Sequence, residues 1–460
     1  MNEHSEQILK KSFAILGAGR SGIGIARLLN KKGYHVILSD NSPLEKLSYL
    51  DIDVLKNERI DFEFNGHSEK IFDYDIIIKS PGILPENEII QKALKLGKKI
   101  YSEIEVAYWF CPCPVIAITG TNGKTTTTEL TGAIFKSAGF NTKVCGNVGL
   151  AFSEVIDELN EQSIVVLEVS SFQLEDTEKF KPRVASFLNF TPDHLEWHKN
   201  LENYMKAKLK VNVNQNDEDT IIINHDDESV RNQRAKLNGK IAAFSIKENL
   251  YKTDYQIGAY LENDDIIYFD KNAGINEKII NKNEIYIRGN HNVYNSLAAL
   301  ISAKAFGISS EKIKNTFKDF KGVEHRIEFV RELNGVKYYN DSKATNLDSM
   351  IVAVESFEKN IILILGGKKM ENDFSKVKEL VKKRVKLIVT IGDSRFEVAK
   401  YFSGCKKVLI SDDFEKAIKI AYLNSGNGDV VLFSPAYKSF DMFDNFEHRG
   451  KEFKKIVNKL

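Results

Sequence analysis

The stretch Thr119-Gly120-Thr121-Asn122-Gly123-Lys124-Thr125-Thr126 constrains this chain of 460 residues more than any other. The apolar run before it, Val115-Ile116-Ala117-Ile118, reads as a buried strand. Beyond it, Leu130, Ala133, Ile134, Ser137 and Ala138 share one helical face up to Gly139, a residue suited to ending a helix. Strand, glycine loop and helix in that order are the setting of a phosphate-binding loop. Gly120, Thr121, Asn122 and Gly123 can bring backbone N–H groups close to phosphate oxygens. The helix start adds partial positive charge. Lys124 adds a full charge for the β- and γ-phosphates, and the Thr125 hydroxyl a ligand for Mg²⁺. The standard spacing would put glycine at 118, where Ile118 stands, so the loop is a shorter variant that opens at Gly120.

A second nucleotide signature precedes it. Ser12–Leu16 reads as a strand leading into Gly17-Ala18-Gly19-Arg20-Ser21-Gly22, then a helix to about Lys32, then the strand His35–Ser39 ending at Asp40. Glycines permit the tight turn and a close diphosphate, and Asp40 can accept hydrogen bonds from a ribose or a base. A further strand at residues 75–79 ends in Ser80-Pro81-Gly82, at the carboxyl edge where such sheets bind ligands. The inference is a nucleotide diphosphate, not necessarily NAD.

Composition limits the remaining classes. Apolar residues are 42% and charged residues 28%, ordinary for a globular chain of two to four domains. A net charge of +1 offers no global field toward nucleic acid or anionic membrane. The start, residues 1–11, is polar, so no signal peptide is expected, and no apolar run approaches a membrane span. Cys111, Cys113, Cys145 and Cys405 form no metal pattern. Cys111-x-Cys113 lacks a second pair and reads as two thiols in a linker, which suits a reducing cytosol.

Cys111-Pro112-Cys113-Pro114 breaks regular structure between a first domain and the loop-bearing one. The strand at 164–167 ends in Glu168, where a second Mg²⁺ contact belongs. Another strand, 185–188, leads to Asn189-Phe190-Thr191-Pro192-Asp193-His194. His194 and His198 are spaced either for a shared metal or as two solvated histidines. Tyr204-Met205-Lys206-Ala207-Lys208 is helical, and composition alone makes Lys208 a surface lysine. Residues 215–285 mix short strands with polar turns. Asn292 and Asn295, near the start of a helix carrying Leu297, Leu300 and Ile301, either reach a base or cap the helix.

From about 323, strands and helices alternate again: strands at 337–339, 361–365, 387–391, Lys407–Ile410 and Val430–Phe433, with helices between and after them. This predicts a doubly wound α/β domain. Its strand-end loops are Asn340-Asp341-Ser342-Lys343-Ala344-Thr345, Gly366-Gly367-Lys368-Lys369 and Ser434-Pro435-Ala436-Tyr437-Lys438-Ser439. All are polar or small and placed to touch ligand.

Taken together, these marks resemble the Mur ligases of peptidoglycan synthesis over essentially the whole chain. The marks are residues 120–126, Glu168-Val169-Ser170-Ser171-Phe172-Gln173-Leu174, residues 189–194, His291-Asn292, His325-Arg326, residues 340–345, and residues 434–439 continuing to Asn445-Phe446-Glu447-His448-Arg449-Gly450. The resemblance implies three α/β domains: a Rossmann-like UDP-binding domain (1–112), a central P-loop ATPase-like domain (113–322) and a doubly wound amino-acid-binding domain (323–460). It also implies an ATP-dependent amide ligase that adds D-glutamate to UDP-N-acetylmuramoyl-L-alanine through an acyl phosphate. A monomer in the cytoplasm is expected, without nucleic-acid or membrane partners.

Residue roles follow from the same likeness. Gly120, Thr121, Asn122, Gly123, Lys124, Thr125 and Thr126 hold the ATP phosphates, with Thr125 and Glu168 on one Mg²⁺. His194 and a carbamylated Lys208 bind a second Mg²⁺, against the surface reading of Lys208. Asn292 and Asn295 meet adenine, Asp341 the ribose, and Arg326 and Lys343 the phosphates. Lys124, His194, Lys208, Arg326 and Lys343 form the catalytic set. Arg20, Ser21, Asp40, Asn41, Ser80, Pro81 and Gly82 surround the UDP moiety. Asn147 and Ser170 face the substrate, and Thr345, Ser439 and Phe446 hold D-glutamate. Met370 stands where the family usually carries a basic residue, with Lys368 or Lys369 as substitutes. A different Mur ligase and a folylpolyglutamate synthase-like ligase are the neighbouring alternatives; the first-domain fingerprint argues against the latter. An NAD-dependent oxidoreductase leaves the second phosphate loop unexplained. A non-catalytic ATP-gated module has no need of Glu168, His194 and Lys208 together.

Overall fold

Short runs of isoleucine, valine and leucine bounded by glycine, asparagine and proline set the strands, because such runs bury on both faces of a parallel sheet. The computed structural model describes residues 11–47, 52–370 and 372–460, so the polar start lies outside them except for Lys11. The chain forms two compact units, residues 1–285 with 292–319, and residues 286–291 with 320–460.

The first unit holds two sheets. One comprises β1 (Ser12–Leu16), β2 (His35–Ser39), β3 (Asp61–Glu63), β4 (Ile76–Lys79) and β5 (Lys99–Ser102), all parallel, in the order β3-β2-β1-β4-β5. The order reverses between β1 and β4, which opens a crevice at their carboxyl ends. Helix α1 (Arg20–Lys31) buries Ile25, Ala26, Leu28 and Leu29. It lies close to β1 because Gly22 allows it: a Cβ there would sit 1.9 Å from the Gly17 carbonyl oxygen. The strand read at 75–79 starts one residue later, since the Asp75 carboxylate instead accepts from the Ser12 amide over 2.9 Å.

The second sheet comprises β6 (Val115–Thr119), β7 (Asn141–Gly146), β8 (Ser163–Glu168), β9 (Val184–Phe187), β10 (Thr220–Asn224), β11 (Lys240–Ser245), β12 (Ile257–Glu262), β13 (Asp265–Asp270) and β14 (Ile275–Asn281). Their order is β14-β13-β12-β11-β10-β9-β6-β8-β7. Strand β6 thus lies between β8 and β9, the loop after it flanked by both of their ends. The segment 215–285, without a motif, supplies the five strands that extend this sheet, and only its last two pairings are antiparallel. Helix α2 (Glu103–Tyr108) precedes the crossing between the sheets. Helix α3 (Lys124–Ser137) follows the phosphate loop, and the chain turns away at Gly139, φ +94°. Helix α4 (Leu201–Leu209) carries Lys208, and α5 (Asn290–Lys304) carries Asn292 and Asn295.

The second unit is a six-stranded sheet of β15 (Glu328–Leu333), β16 (Val336–Asn340), β17 (Ile361–Gly366), β18 (Val385–Ile391), β19 (Lys407–Ile410) and β20 (Val430–Phe433). Its order is β15-β16-β20-β17-β18-β19, parallel except for β15. The final helix is α6 (Phe446–Val457). An α/β fold with three largely parallel sheets is therefore present. Among the described residues no helix is long and apolar enough to cross a membrane.

Candidate active site

The phosphate loop is held from beside it. Gly123, at φ +84°, precedes α3, and a Cβ there would meet Asn295 Oδ1 at 2.5 Å. That oxygen accepts from Thr127 Oγ1 over 3.1 Å, while the Asn295 amide donates to Asn292 Oδ1 over 3.0 Å. Both asparagines are thus engaged in positioning the helix that begins the loop's far side. Asn189, just past β9, accepts at one Oδ1 from the amides of Thr121 and Asn122 over 3.1 and 2.8 Å. Its own amide donates to the Asn122 carbonyl over 2.9 Å. One side chain therefore fixes the middle of the loop from three directions. The motif around it was legible, but its role depends on β9 lying beside β6, which spacing does not show.

Lys124 folds back over the loop, donating to the carbonyl oxygens of Gly120 and Thr121 over 2.9 and 2.8 Å. Lys208 donates to the same Gly120 oxygen over 2.8 Å, with the Tyr204 ring 4.6 Å from its ammonium. Lys208 is 1% exposed, which corrects the surface reading: α4 packs it inward against the loop. Burial, reinforced by Lys124, holds its ammonium well below the ordinary lysine range, with Asp193 opposing. Thr125 and Thr126 are also buried.

Glu168 ends β8 and is 2% exposed. Its Oε1 accepts from Asn147 Nδ2 over 3.0 Å; its Oε2 is buried without a hydrogen-bond partner. A carboxylate oxygen left so is costly unless a cation or donor meets it. Asn147 is anchored by its own amide on the Glu168 carbonyl over 2.9 Å. Ser170 caps the short helix Ser171–Glu175 by a capping box with Gln173.

His194 stands at φ +52° before the turn Leu195–His198, its ring edge-on to Phe172 at 4.8 Å. His198 is neither solvated nor paired with it. It is 3% exposed and bonds Ser171 Oγ through Nε2 over 2.9 Å. Burial, then His194, pushes its pKa down to about 4. Among the described residues no three His, Cys, Asp or Glu side chains gather as a ready metal set. A set that draws on Thr125, Glu168, His194 and a modified Lys208 mixes other oxygen donors with two of these types, and the orphaned Glu168 oxygen fits a cation.

In the first sheet, the β1–α1 turn and the loop after β4 meet at the crevice. Ser80 Oγ donates to the Gly17 carbonyl over 3.3 Å, ahead of Pro81 and Gly82. Asp40 spends its oxygens on the protein: Oδ2 accepts from the Ala18 amide over 2.6 Å and Oδ1 from Ser42 N over 2.7 Å. Asn41 is exposed beside it, and Ser21 half-buried on α1. Arg20 reaches from α1 to the Gly149 carbonyl, tying the turn to the loop after β7. Sequence reading passed over Lys79: it is 2% exposed at the end of β4 and pairs with Asp176 over 2.8 Å.

The second unit gathers its own candidates. Arg326, Asp341, Lys343 and Ser349 line one hollow. Asp341 is 3% exposed; Oδ2 accepts from Ser434 Oγ over 2.7 Å and Oδ1 from the Ile327 amide over 3.2 Å. Burial pushes its carboxyl up to about 7, offset in part by Ser434 and Arg326. The Thr345 amide donates to the Lys343 carbonyl over 2.9 Å. Lys343 Nζ lies 5.8 Å from the Phe446 ring. Ser439 is buried, its carbonyl accepting from Met442 N and Phe443 N. Met370 packs on this unit's apolar core, whereas Lys368 and Lys369 are exposed. Arg449, singled out only within its motif, is 1% exposed and binds three groups: Ser342 Oγ over 3.0 Å, Ser342 O over 2.8 Å and Tyr437 O over 3.0 Å. It clamps two of the three strand-end loops together.

Comparison with known proteins agrees with this layout. Family models match in three places: the Mur ligase middle domain at residues 118–303, the Mur ligase glutamate ligase domain at 325–437, and the MurD N-terminal domain at 12–89. The UDP-N-acetylmuramoylalanine–D-glutamate ligase of Chloroherpeton thalassium is 41% identical over 99% of each chain. That of Salinibacter ruber is 38% identical, again over 99% of each. Among solved structures, the UDP-N-acetylmuramate–alanine ligase of Thermotoga maritima superposes with a TM-score of 0.59 at 18% identity, covering 98% of this chain and 99% of its own. The MurF ligase of Thermotoga maritima in complex with ADP gives 0.57 at 17% identity, over 92% and 95%.

Proposed function

The chain belongs to the Mur ligase family, in the branch of the UDP-N-acetylmuramoylalanine–D-glutamate ligases, and on that footing we propose how its residues perform the reaction. The enzyme is an ATP-dependent ligase of peptidoglycan synthesis. It joins D-glutamate to UDP-N-acetylmuramoyl-L-alanine. The observation that carries this is likeness to D-glutamate ligases at about 40% identity along the full chain, with the phosphate loop intact. We take residues 1–112 as the UDP-binding domain, 113–322 as the ATP-binding domain and 323–460 as the amino-acid-binding domain. A cytoplasmic monomer belongs to the same proposal.

Amide formation from a carboxylate and an amine is uphill in water, so the L-alanyl carboxylate first takes the γ-phosphoryl group of ATP. Carboxylate and phosphate repel: two unit charges 4 Å apart at an effective dielectric near 20 cost about 4 kcal/mol. Lys124, at the start of α3, supplies positive charge against that repulsion, as do Arg326 and Lys343 from their hollow. Thr125 and Glu168 would hold one Mg²⁺, and His194 with a carbamylated Lys208 a second. Bound there, the ions would neutralise charge on the transferring phosphoryl group.

Lys208 suits that modification. Its burial favours the neutral amine, which adds to CO₂ and releases a proton to leave an oxygen-bearing carbamate. The amine of D-glutamate, held by Thr345, Ser439 and the backbone near Phe446, then attacks the acyl phosphate and expels inorganic phosphate. Asn292 and Asn295 attend the adenine and Asp341 the ribose. Arg20, Ser21, Asp40, Asn41 and residues 80–82 surround the UDP moiety, with Asn147 and Ser170 nearer the muramoyl end.

An oxygen-transfer experiment tests the pathway. With the L-alanyl carboxylate of the UDP substrate labelled with ¹⁸O, one label per turnover is expected in the released phosphate. Phosphate free of label, with label-retaining product, would remove the acyl phosphate.

A further inference from the structure

Cys111 and Cys113 lie between α2 and β6, where Pro112 and Pro114 leave the chain without helix or strand. This segment is the single covalent passage from the first sheet, which ends with β5, to the second, which begins with β6. Both cysteines are free thiols. Their Sγ atoms stand 3.7 Å apart, and Cys111 Sγ also donates to the Cys113 carbonyl over 3.4 Å. Cys113 is 9% exposed and joins the apolar core with Val115; Cys111 is half-buried. The other two thiols are placed differently. Cys145 is fully buried, and Cys405 in the second unit donates to the Phe402 carbonyl over 3.3 Å.

We propose that Cys111 and Cys113 form a thiol–disulfide exchange site, which closes to an intramolecular disulfide on reaction with a low-molecular-weight disulfide of the glutathione class. Cys111 is the attacking sulfur because it is the more accessible. The Cys113 S–H group also supports its thiolate, holding its pKa below the ordinary cysteine value, while that hydrogen bond and burial push Cys113 up. In the first step Cys111 Sγ bonds to one sulfur of the reagent, the reagent S–S bond breaks, and one thiolate leaves. In the second, Cys113 gives its proton to that departing thiolate. Its sulfur then attacks Cys111 Sγ and expels the second reagent thiolate, which takes from water the proton that Cys111 released on forming its own thiolate. Two protein thiols lose two electrons and two protons, and the reagent disulfide gains both and becomes two thiols. The sulfurs must close from 3.7 Å to a bond of about 2 Å, a movement the irregular segment can absorb.

The test uses the full chain carrying Cys405→Ser, so that the half-buried thiol of the second unit does not compete. After incubation with oxidised glutathione, acid quench, alkylation and tryptic digestion without reductant, the peptide of residues 100–124 is weighed. The expected peptide is two hydrogens lighter than the reduced one, unalkylated at both cysteines, and restored by dithiothreitol. Adding Cys113→Ser is expected to leave a stable glutathione adduct at Cys111, and adding Cys111→Ser to leave Cys113 reduced. Two contrary results overturn the proposal. One is a pair of alkylatable thiols after prolonged exposure to excess oxidised glutathione with no reduced glutathione added. The other is a stable glutathione adduct at Cys111 while Cys113 is intact. Neither result depends on the ligase assignment.

Discussion

Lys124 and Lys208 donate to the same atom, the Gly120 carbonyl oxygen, over 2.9 and 2.8 Å. Two ammonium groups on one oxygen repel, and the buried one gives way: Lys208 is driven toward its neutral form by burial and then by Lys124. A neutral, enclosed amine beside a phosphate loop is the form that captures CO₂. Lys208→Ala is therefore expected to be nearly inactive in phosphate release, with partial recovery on adding formate or acetate. An inactive variant that no small carboxylate restores, together with the lack of a carbamate ¹³C resonance in active enzyme supplied with ¹³CO₂, would remove the carbamate.

Lys124→Ala addresses the other ammonium. Loss of one charged contact to the transferring phosphoryl group lowers kcat on the order of 10²–10³. Calorimetric binding of the UDP substrate should stay near that of the parent, because the proposal places that nucleotide at the β1–α1 turn. Parent-like turnover would contradict the phosphate-loop role.

Asn189 holds the loop by two accepted bonds and one donated bond. Asn189→Ala leaves the Thr121 and Asn122 amides without that acceptor, which costs about 1–3 kcal/mol where such groups stay buried. Weaker ATP binding and a lower denaturant midpoint are expected. Asn189→Asp keeps both accepted bonds but sets a carboxylate oxygen against the Asn122 carbonyl and a negative charge beside the ATP phosphates, so it should bind ATP more weakly still than the alanine variant. Equal binding in all three would show the loop to be self-supporting.

Stability should fall with rising pH through Glu103. It is 3% exposed, with Oε1 accepting from the Ser153 amide over 2.6 Å and Oε2 buried without a partner. Burial raises its pKa from 4.5 to about 7, with Ser153 opposing. Between those values the unfolded chain has released a proton that the folded chain keeps, so stability declines over that window and levels off above it. The span corresponds to something on the order of 3 kcal/mol. Glu103→Gln has no proton to lose, and its urea midpoint should gain on the parent's between about pH 5 and about pH 8. Parallel curves for the two proteins would contradict the assignment.

Much of this was written locally in the chain. The strands Ser12–Leu16, His35–Ser39, Lys407–Ile410 and Val430–Phe433 fall on the residues that their apolar runs mark. The phosphate loop and the β1–α1 turn are legible because their glycines answer to local backbone geometry. What was missed depends on neighbours distant in sequence. Strand β15, Glu-Phe-Val-Arg-Glu-Leu, is a half-exposed antiparallel edge with too little apolar content to stand out. Lys208 looks like any helical lysine until α4 is packed against the loop. Asn189, Lys79 and Arg449 act across strand ends that only the sheet order brings together. The metal-or-solvent choice for His198 failed for the same reason: its partner is Ser171, from the helix after β8.

Acceptor choice tests the ligase assignment most directly. Phosphate release from ATP is measured with UDP-N-acetylmuramoyl-L-alanine and, in turn, D-glutamate, L-glutamate, D-alanine, L-alanine, L-lysine and diaminopimelate. A pocket that pairs both carboxylates of D-glutamate rejects an analogue lacking one by roughly 10⁴ in kcat/KM, since its donors are left unpaired. The L-enantiomer turns its amine away from the acyl phosphate and also loses heavily. D-Glutamate should therefore support release far above every other amino acid in the panel. Faster release with L-lysine, diaminopimelate or L-alanine would contradict the assignment and point to Met370 as the residue that changed the pocket.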